Sequence, residues 1–170
     1  MADTKPDAIA LLKADHRTVE GLFEQFEAAT GEGKKQKIAL QICMELTVHA
    51  KIEEEIFYPA CEGKVEDDLL KEAYVEHDGA KVLIAEIEAG TPSDEFYEAK
   101  VSVLSEQIEH HVGEEEMRME GMFAQARKAG LDMDALGEQM AAEKEQLMAT
   151  YKKSGLIKPE TQSLSGTALA

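Results

Sequence analysis

Residues 42–56 read ICMELTVHAKIEEEI, and this stretch decides the fold. Taken at steps of three and four, Ile42, Leu46, His49, Glu53 and Ile56 lie on one face of a helix. That face should be apolar, yet it carries an imidazole and a carboxylate in its middle. Three other segments repeat the pattern. The first runs Ile9, Leu12, His16, Val19, Phe23, Phe26. The third runs Leu70, Ala73, His77, Ala80, Ile84, Ile87, and the fourth Val101, Leu104, Ile108, His111, Glu115, Met122. Four such seams predict an all-α, up-down four-helix bundle whose core contains a polar layer.

Composition agrees. The 170 residues are enough for one domain with a sizeable core. They are rich in Ala, Glu, Leu, Lys and Met and contain no Trp, which favours helices over strands. The formal charge of -17 would be repelled by nucleic acid and by anionic membrane surfaces. No apolar run has the length of a membrane span, and the first residues lack the pattern of a signal peptide. Cys43 and Cys61 form no CxxC pair, which fits two unpaired thiols in a reducing cytoplasm.

The helix boundaries follow from caps and breakers. Thr4, Pro6 and Asp7 predict a helix start, and Gly31-Glu32-Gly33 the first turn. A second helix is expected from about Lys34 to Pro59 and a third over 68–89. A fourth should begin at the capping signature Thr91-Pro92-Ser93-Asp94 and run unbroken to Ala129. A fifth covers about 133–152. Residues 1–153 then form the bundle plus an additional C-terminal helix, and 154–170 a flexible tail rich in Ser, Thr, Gly and Pro. His16–Ala28 (HRTVEGLFEQFEA) and His77–Ala89 (HDGAKVLIAEIEA) align as a repeat. Each is followed by a helix bearing HxxxE: His49 with Glu53, and His111 with Glu115. A duplicated helix pair implies a pseudo-twofold axis.

Residues four apart lie about 40° apart around a helix, so each HxxxE pair aims at one point. A buried imidazole or carboxylate without a partner costs several kcal/mol. Any one seam histidine reads equally well as a hydrogen-bonded core residue, but four at matching depth, with two glutamates, require a common partner. A carboxylate can span two ions and a neutral imidazole binds one. Four imidazoles and two spanning carboxylates therefore supply two nitrogens and two oxygens to each of two ions. Such ligation with open positions suits iron, and less firmly manganese or zinc. The near absence of thiols speaks against a structural zinc site. His110 and Glu114 also read HxxxE, but the seam from Val101 through Ile108 selects His111 and Glu115 and turns His110 about 100° away. Glu54, Glu55, Glu114 and Glu116 read as solvated neighbours; Tyr58 and Tyr74 could reach a metal or its oxygen ligand, with ordinary packing the preferred reading.

The order H…HxxxE…H…HxxxE, with Asp15-His16 in the first helix and HAKIEEEIFYP (49–59) closing the second, resembles the hemerythrin-like family over about residues 8–130. The resemblance implies a four-helix bundle around two non-haem Fe ions, an oxo- or hydroxo-bridged di-iron centre. By position, His16 and His49 would serve one iron and His77 and His111 the other, with Glu53 and Glu115 bridging. Two departures stand out. Oxygen-carrying hemerythrins place a second histidine one turn from the third-helix histidine, where this chain has Ala73 and Lys81. The fourth helix also reads HxxxE where they have HxxxxD. Both differences point away from simple oxygen carriage. The expected role is binding or sensing of a small diatomic or peroxide ligand (dioxygen, nitric oxide, peroxide) or of iron status. The alternatives are a di-iron redox enzyme acting on peroxide or in stress repair, and a metal-free acidic bundle that contacts an unknown protein partner.

Overall fold

The computed structural model describes residues 6–155 and 160–164 and contains no strand among them. Its helices are α1 (Ala8–Ala28), α2 (Glu32–Ile52), α3 (Tyr58–Cys61), α4 (Asp67–Ala89), α5 (Tyr97–Glu116), α6 (Met122–Lys128) and α7 (Met133–Ser154). α1 packs on α2 and α4 on α5, each pair joined by a short turn, while α2 meets α4 and α1 meets α5. These four close the bundle, and α7 lies across α1 and α2. None of the helices is long and apolar enough to cross a membrane.

The seams pack as their spacing requires, in two apolar clusters. One holds Val19, Phe23, Phe26, Ile42, Leu46, Ile84, Ile87, Val101 and Leu104. The other holds Ile9, Leu12, Val48, Ile52, Phe57, Leu70, Ala73, Met122, Phe123, Met140 and Tyr151. Each seam histidine sits in sequence between residues of the two clusters. His16 lies between Leu12 and Val19, His49 between Leu46 and Ile52, His77 between Ala73 and Ala80, and His111 between Leu104 and Met122. The polar layer is therefore roofed and floored by hydrocarbon.

Four local expectations change. Thr4 lies outside the described residues, and Asp7 caps α1 by accepting from the Ala10 N–H at 2.8 Å. The second helix does not run evenly to Pro59. Residues Glu53–Phe57 form a π-helical turn in which the Tyr58 N–H reaches the Glu53 carbonyl, and the chain continues through Pro59 to Cys61. Pro59 has no N–H for the carbonyl one turn back and crowds it, so the turn before it widens. Thr91 does not open a helix: its N–H donates to Asp94 at 2.7 Å in a tight turn, and α5 begins at Tyr97.

The fourth helix also stops at Glu116, not at Ala129. The chain turns through Met117–Gly121 and resumes as α6. A Cβ on Gly121 would lie 2.7 Å from the Glu115 carbonyl and the Met117 backbone, so this reversal requires glycine. α6 then lays Met122, Phe123 and Ala126 over the end of the bundle. Beyond α7, residues 160–164 are bound to α4: the Gln162, Ser163 and Leu164 N–H groups all donate to the Asp78 carboxylate.

α7 is seated by close backbone approach. A Cβ on Gly137 would lie 2.6 Å from the Pro6 carbonyl and 2.7 Å from the Ala8 nitrogen. Gly137→Ala is expected to overpack this crossing and cost about 1–3 kcal/mol, lowering the thermal midpoint by several degrees. An unchanged midpoint would show that α7 is not held there.

Candidate metal centre

Each of the four seam histidines turns its Nε2 inward. His16 Nε2 lies 3.2 Å from His49 Nε2, and His77 Nε2 lies 3.1 Å from His111 Nε2. All four side chains are buried. Glu53 and Glu115, at 0 % and 1 % exposure, stand between the two pairs. Glu53 Oε2 is 3.2 Å from both His49 Nε2 and His77 Nε2. Glu115 places Oε2 3.3 Å from His16 Nε2 and Oε1 3.5 Å from His111 Nε2. Both glutamates thus touch both pairs. His16, His49, Glu53 and Glu115 form one group of donors that could hold an ion, and Glu53, His77 and His111 a second.

The outward nitrogens explain this orientation. His16 Nδ1 meets Glu116 at 2.7 Å, His49 Nδ1 meets Asp15 at 3.4 Å, His77 Nδ1 meets Glu54 at 3.0 Å, and His111 Nδ1 meets Glu76 at 2.6 Å. A carboxylate can only accept, so each Nδ1 carries the proton and donates it. In the neutral ring the Nε2 lone pair then faces the centre, the arrangement a metal-ligating histidine takes. Two lone pairs 3.1 Å apart repel unless a cation stands between them. Glu53 Oε1 and Glu115 Oε2 are buried with no hydrogen-bond partner among the described residues. A proton or a metal cation satisfies these atoms; an apolar core does not.

Glu54, Glu76, Glu116 and Asp15 are the residues that the seam reading missed. Glu54 and Glu116 are not solvated neighbours. Glu54 is 8 % exposed, and both hold an imidazole. Each of the four acids directly flanks an inner residue: Asp15-His16, Glu53-Glu54, Glu76-His77, Glu115-Glu116. One step along a helix is about 100° of rotation, enough to leave the seam and face the next helix. Tyr58 is a further inner residue. Its O–H donates to Glu115 at 2.9 Å and lies 3.1 Å from His77 Nε2. In a regular helix, positions 53 and 58 would be about 140° apart; the π turn brings them to one side. The seam pattern could not show this, although Pro59 marks the disturbed turn. His110 is exposed and outside the inner group. Lys81, one of the two positions where a fifth histidine would stand, binds Glu54 and Asp78 instead.

The layer is strongly polarised. Burial alone would push the His49 pKa down, but the carboxylates of Glu53 and Asp15 override it and hold it at about 10. Burial likewise opposes charge on His111, and Glu115 and Glu76 raise it well above the ordinary imidazole value. Burial raises the Glu115 carboxyl, as does Glu53, yet His111 and His16 bring it down to about 2. Glu53 is lowered well below the ordinary value against burial, by His49 and His77. The Tyr58 phenol is raised by burial and by both glutamates, so it keeps its proton.

These shifts set the pH behaviour of the cation-free protein. The raised His49 pKa stabilises the fold fully below 6.5, and that contribution is lost as pH rises toward about 10. The lowered Glu115 pKa stabilises above 4.5, and that contribution is lost as pH falls toward about 2. A bound cation would displace the Nε2 protons of His49 and His111, so binding should release protons at neutral pH and tighten as pH rises. Thermal melts of chelator-stripped and cation-loaded protein are expected to diverge as pH rises above about 6.5. Stripped protein whose stability is flat or rising over that interval would contradict this electrostatic layer.

Comparison with known proteins identifies the family and the fold. Residues 7–123 match the family model of the Hemerythrin HHE cation binding domain. A Hemerythrin HHE cation binding domain-containing protein from Mycobacterium kansasii has the same fold. Its crystal structure superposes with a TM-score of 0.73 at 23% identity, covering 89% of this chain and 95% of that one. A protein from Nostoc sp. described as a DNA nickase is 31% identical over 106 residues, which are 62% of this chain and 30% of that protein. The chain thus spans under a third of that relative's length. The chain belongs to the hemerythrin HHE cation-binding domain family.

Proposed function

We propose that this member of the HHE cation-binding family is a non-haem di-iron protein that binds or senses a small diatomic ligand. The observation that carries the reading is the pair of facing imidazole pairs spanned by two buried carboxylates with unsatisfied oxygens. His16 and His49 would hold one ion, His77 and His111 the other, and Glu53 and Glu115 both. Imidazole and carboxylate ligands without thiolate favour iron over softer ions. Iron held in this way would supply a redox-active pair able to take an outside ligand.

The chain's own residues favour a small ligand. A cavity of ≈ 30 Å³ borders all four histidines and is otherwise lined largely by apolar side chains, among them Val19, Leu46, Ala80, Ile84, Ile108 and Val112. That is room for about one water-sized molecule. Its apolar walls suit dioxygen or nitric oxide, and such a wall excludes larger solutes. No fifth histidine fills the centre: Ala73 is too short, and Lys81 is held by Glu54 and Asp78. Tyr58 stands closest to filling that vacancy. Its hydroxyl also favours a second reading, reduction of peroxide, in which a ferrous pair would supply the two electrons and the phenol beside the centre would be placed to supply a proton.

Cys43 and Cys61 are free and buried, which fits a reducing cytoplasm. The charge of -17 supports a partner other than nucleic acid, and the nickase description belongs to a protein of which this chain matches only a part.

Anaerobic reconstitution with ferrous iron is expected to load two ions per chain, and nitric oxide should then change the optical spectrum. Loading near zero, with thermal stability indifferent to chelator, would leave only the metal-free interaction bundle. Rapid turnover of hydrogen peroxide by loaded protein, lost in Tyr58→Phe with its iron retained, would favour the enzyme reading over sensing.

A further inference from the structure

The four carboxylates that hold the histidines are themselves held from outside, and one differs from the rest. Asp15 is bound by Lys144, Glu54 by Lys81, and Glu116 by Arg17. Each of these is a lysine or an arginine. Glu76 instead meets His110, with its Oε1 3.4 Å from His110 Nε2 while its Oε2 accepts from His111. His110 Nε2 also lies 3.3 Å from Glu114 Oε1, four residues along α5. This is the second HxxxE of that helix, which the buried centre does not use.

Among the described residues, Glu76, His110 and Glu114 form a third group whose donor atoms lie close enough to share one ion. They sit in a surface groove between α4 and α5 that also takes in Glu72 and Lys71, whose ammonium is paired with Asp67. His110 is 67% exposed at its side chain and the two glutamates about a quarter, so an ion can reach them directly from solvent. Among the described residues Glu76 is met by histidines, where the three equivalent carboxylates are met by Lys or Arg.

We propose that Glu76, His110 and Glu114 form an outer site for a divalent transition-metal cation. The ion takes the place that Lys144, Lys81 and Arg17 occupy behind the other three carboxylates. An imidazole with two carboxylates selects zinc, cobalt or nickel over magnesium and calcium, which take oxygen ligands. Because Glu76 is shared with His111, the outer ion stands one carboxylate away from the buried layer. The proposal does not depend on which ion the buried layer holds.

Calorimetric titration of cobalt(II) into full-length protein already saturated at the buried centre tests it. One further equivalent should bind, and magnesium at the same concentration should not displace it. His110→Ala and Glu114→Gln should each weaken that step by about tenfold or more, as loss of one ligand or its support does, without changing the content of the buried centre. His110→Lys should abolish the step and keep the thermal midpoint, since lysine restores the cation present behind the other three carboxylates. Absence of a further equivalent in the parent protein, or its persistence in His110→Ala, would overturn the proposal.

Discussion

The structure depends on one constraint: four imidazoles must turn their Nε2 atoms inward at the same level of a bundle. A closed ring of carboxylate contacts enforces it. Asp15 on α1 holds the histidine of α2, and Glu54 just after α2 holds that of α4. Glu76 on α4 holds the histidine of α5, and Glu116 at the end of α5 holds that of α1. Every helix of the bundle is thus both donor and acceptor of support. The ring has the twofold logic of the duplicated sequence. On the first helix of each pair the acid precedes the inner residue, and on the second it follows. Each contact is a charge-assisted hydrogen bond. Together they convert four flexible side chains into a preformed inward-facing set, an arrangement that needs protons or metal cations at its centre.

Other elements serve this layer. The π turn at Glu53–Phe57 brings Glu53 and Tyr58 to the same side. The reversal at Gly121 sends Phe123 back over the site, where its ring stacks on His16 at 5.9 Å between centroids. Lys81 does not point into the layer; with Asp78 and the Glu160 carbonyl it ties α4 to residues 160–164. Gln162 reaches Glu54 at 2.6 Å, so the C-terminal segment is two hydrogen bonds from His77. The supports around the layer therefore extend from the first helix to near the end of the chain.

Much of this was legible in the residues. Spacing of three and four located the helices, and the polar interruptions of their seams located His16, His49, Glu53, His77, His111 and Glu115, which the fold brings together. The outer carboxylates were misread because residues one step from a seam usually face water, and nothing in one helix tells which neighbour it meets. Their signal was present: an acid flanks an inner residue once on each helix of the bundle. The end of α5 was not legible at all. Gly113 lies inside the helix without breaking it, and the necessity of Gly121 beyond its end arises from backbone approach that exists only in the folded chain. Likewise the attachment of residues 160–164 rests on Asp78, one acid among thirty-five acidic residues. A polar stretch of tail carries no sign of the carboxylate that gathers its amides.

The central claim is that the inward Nε2 atoms and the two spanning glutamates hold two ions. Anomalous scattering at the iron edge from crystals of iron-reconstituted protein measures this directly. The account predicts two peaks in the buried layer, one against His16 and His49 and the other against His77 and His111, with Glu53 and Glu115 reaching both. A single peak, a peak coordinated through Nδ1 of any of the four histidines, or an empty layer in protein that retains its iron elsewhere would contradict it.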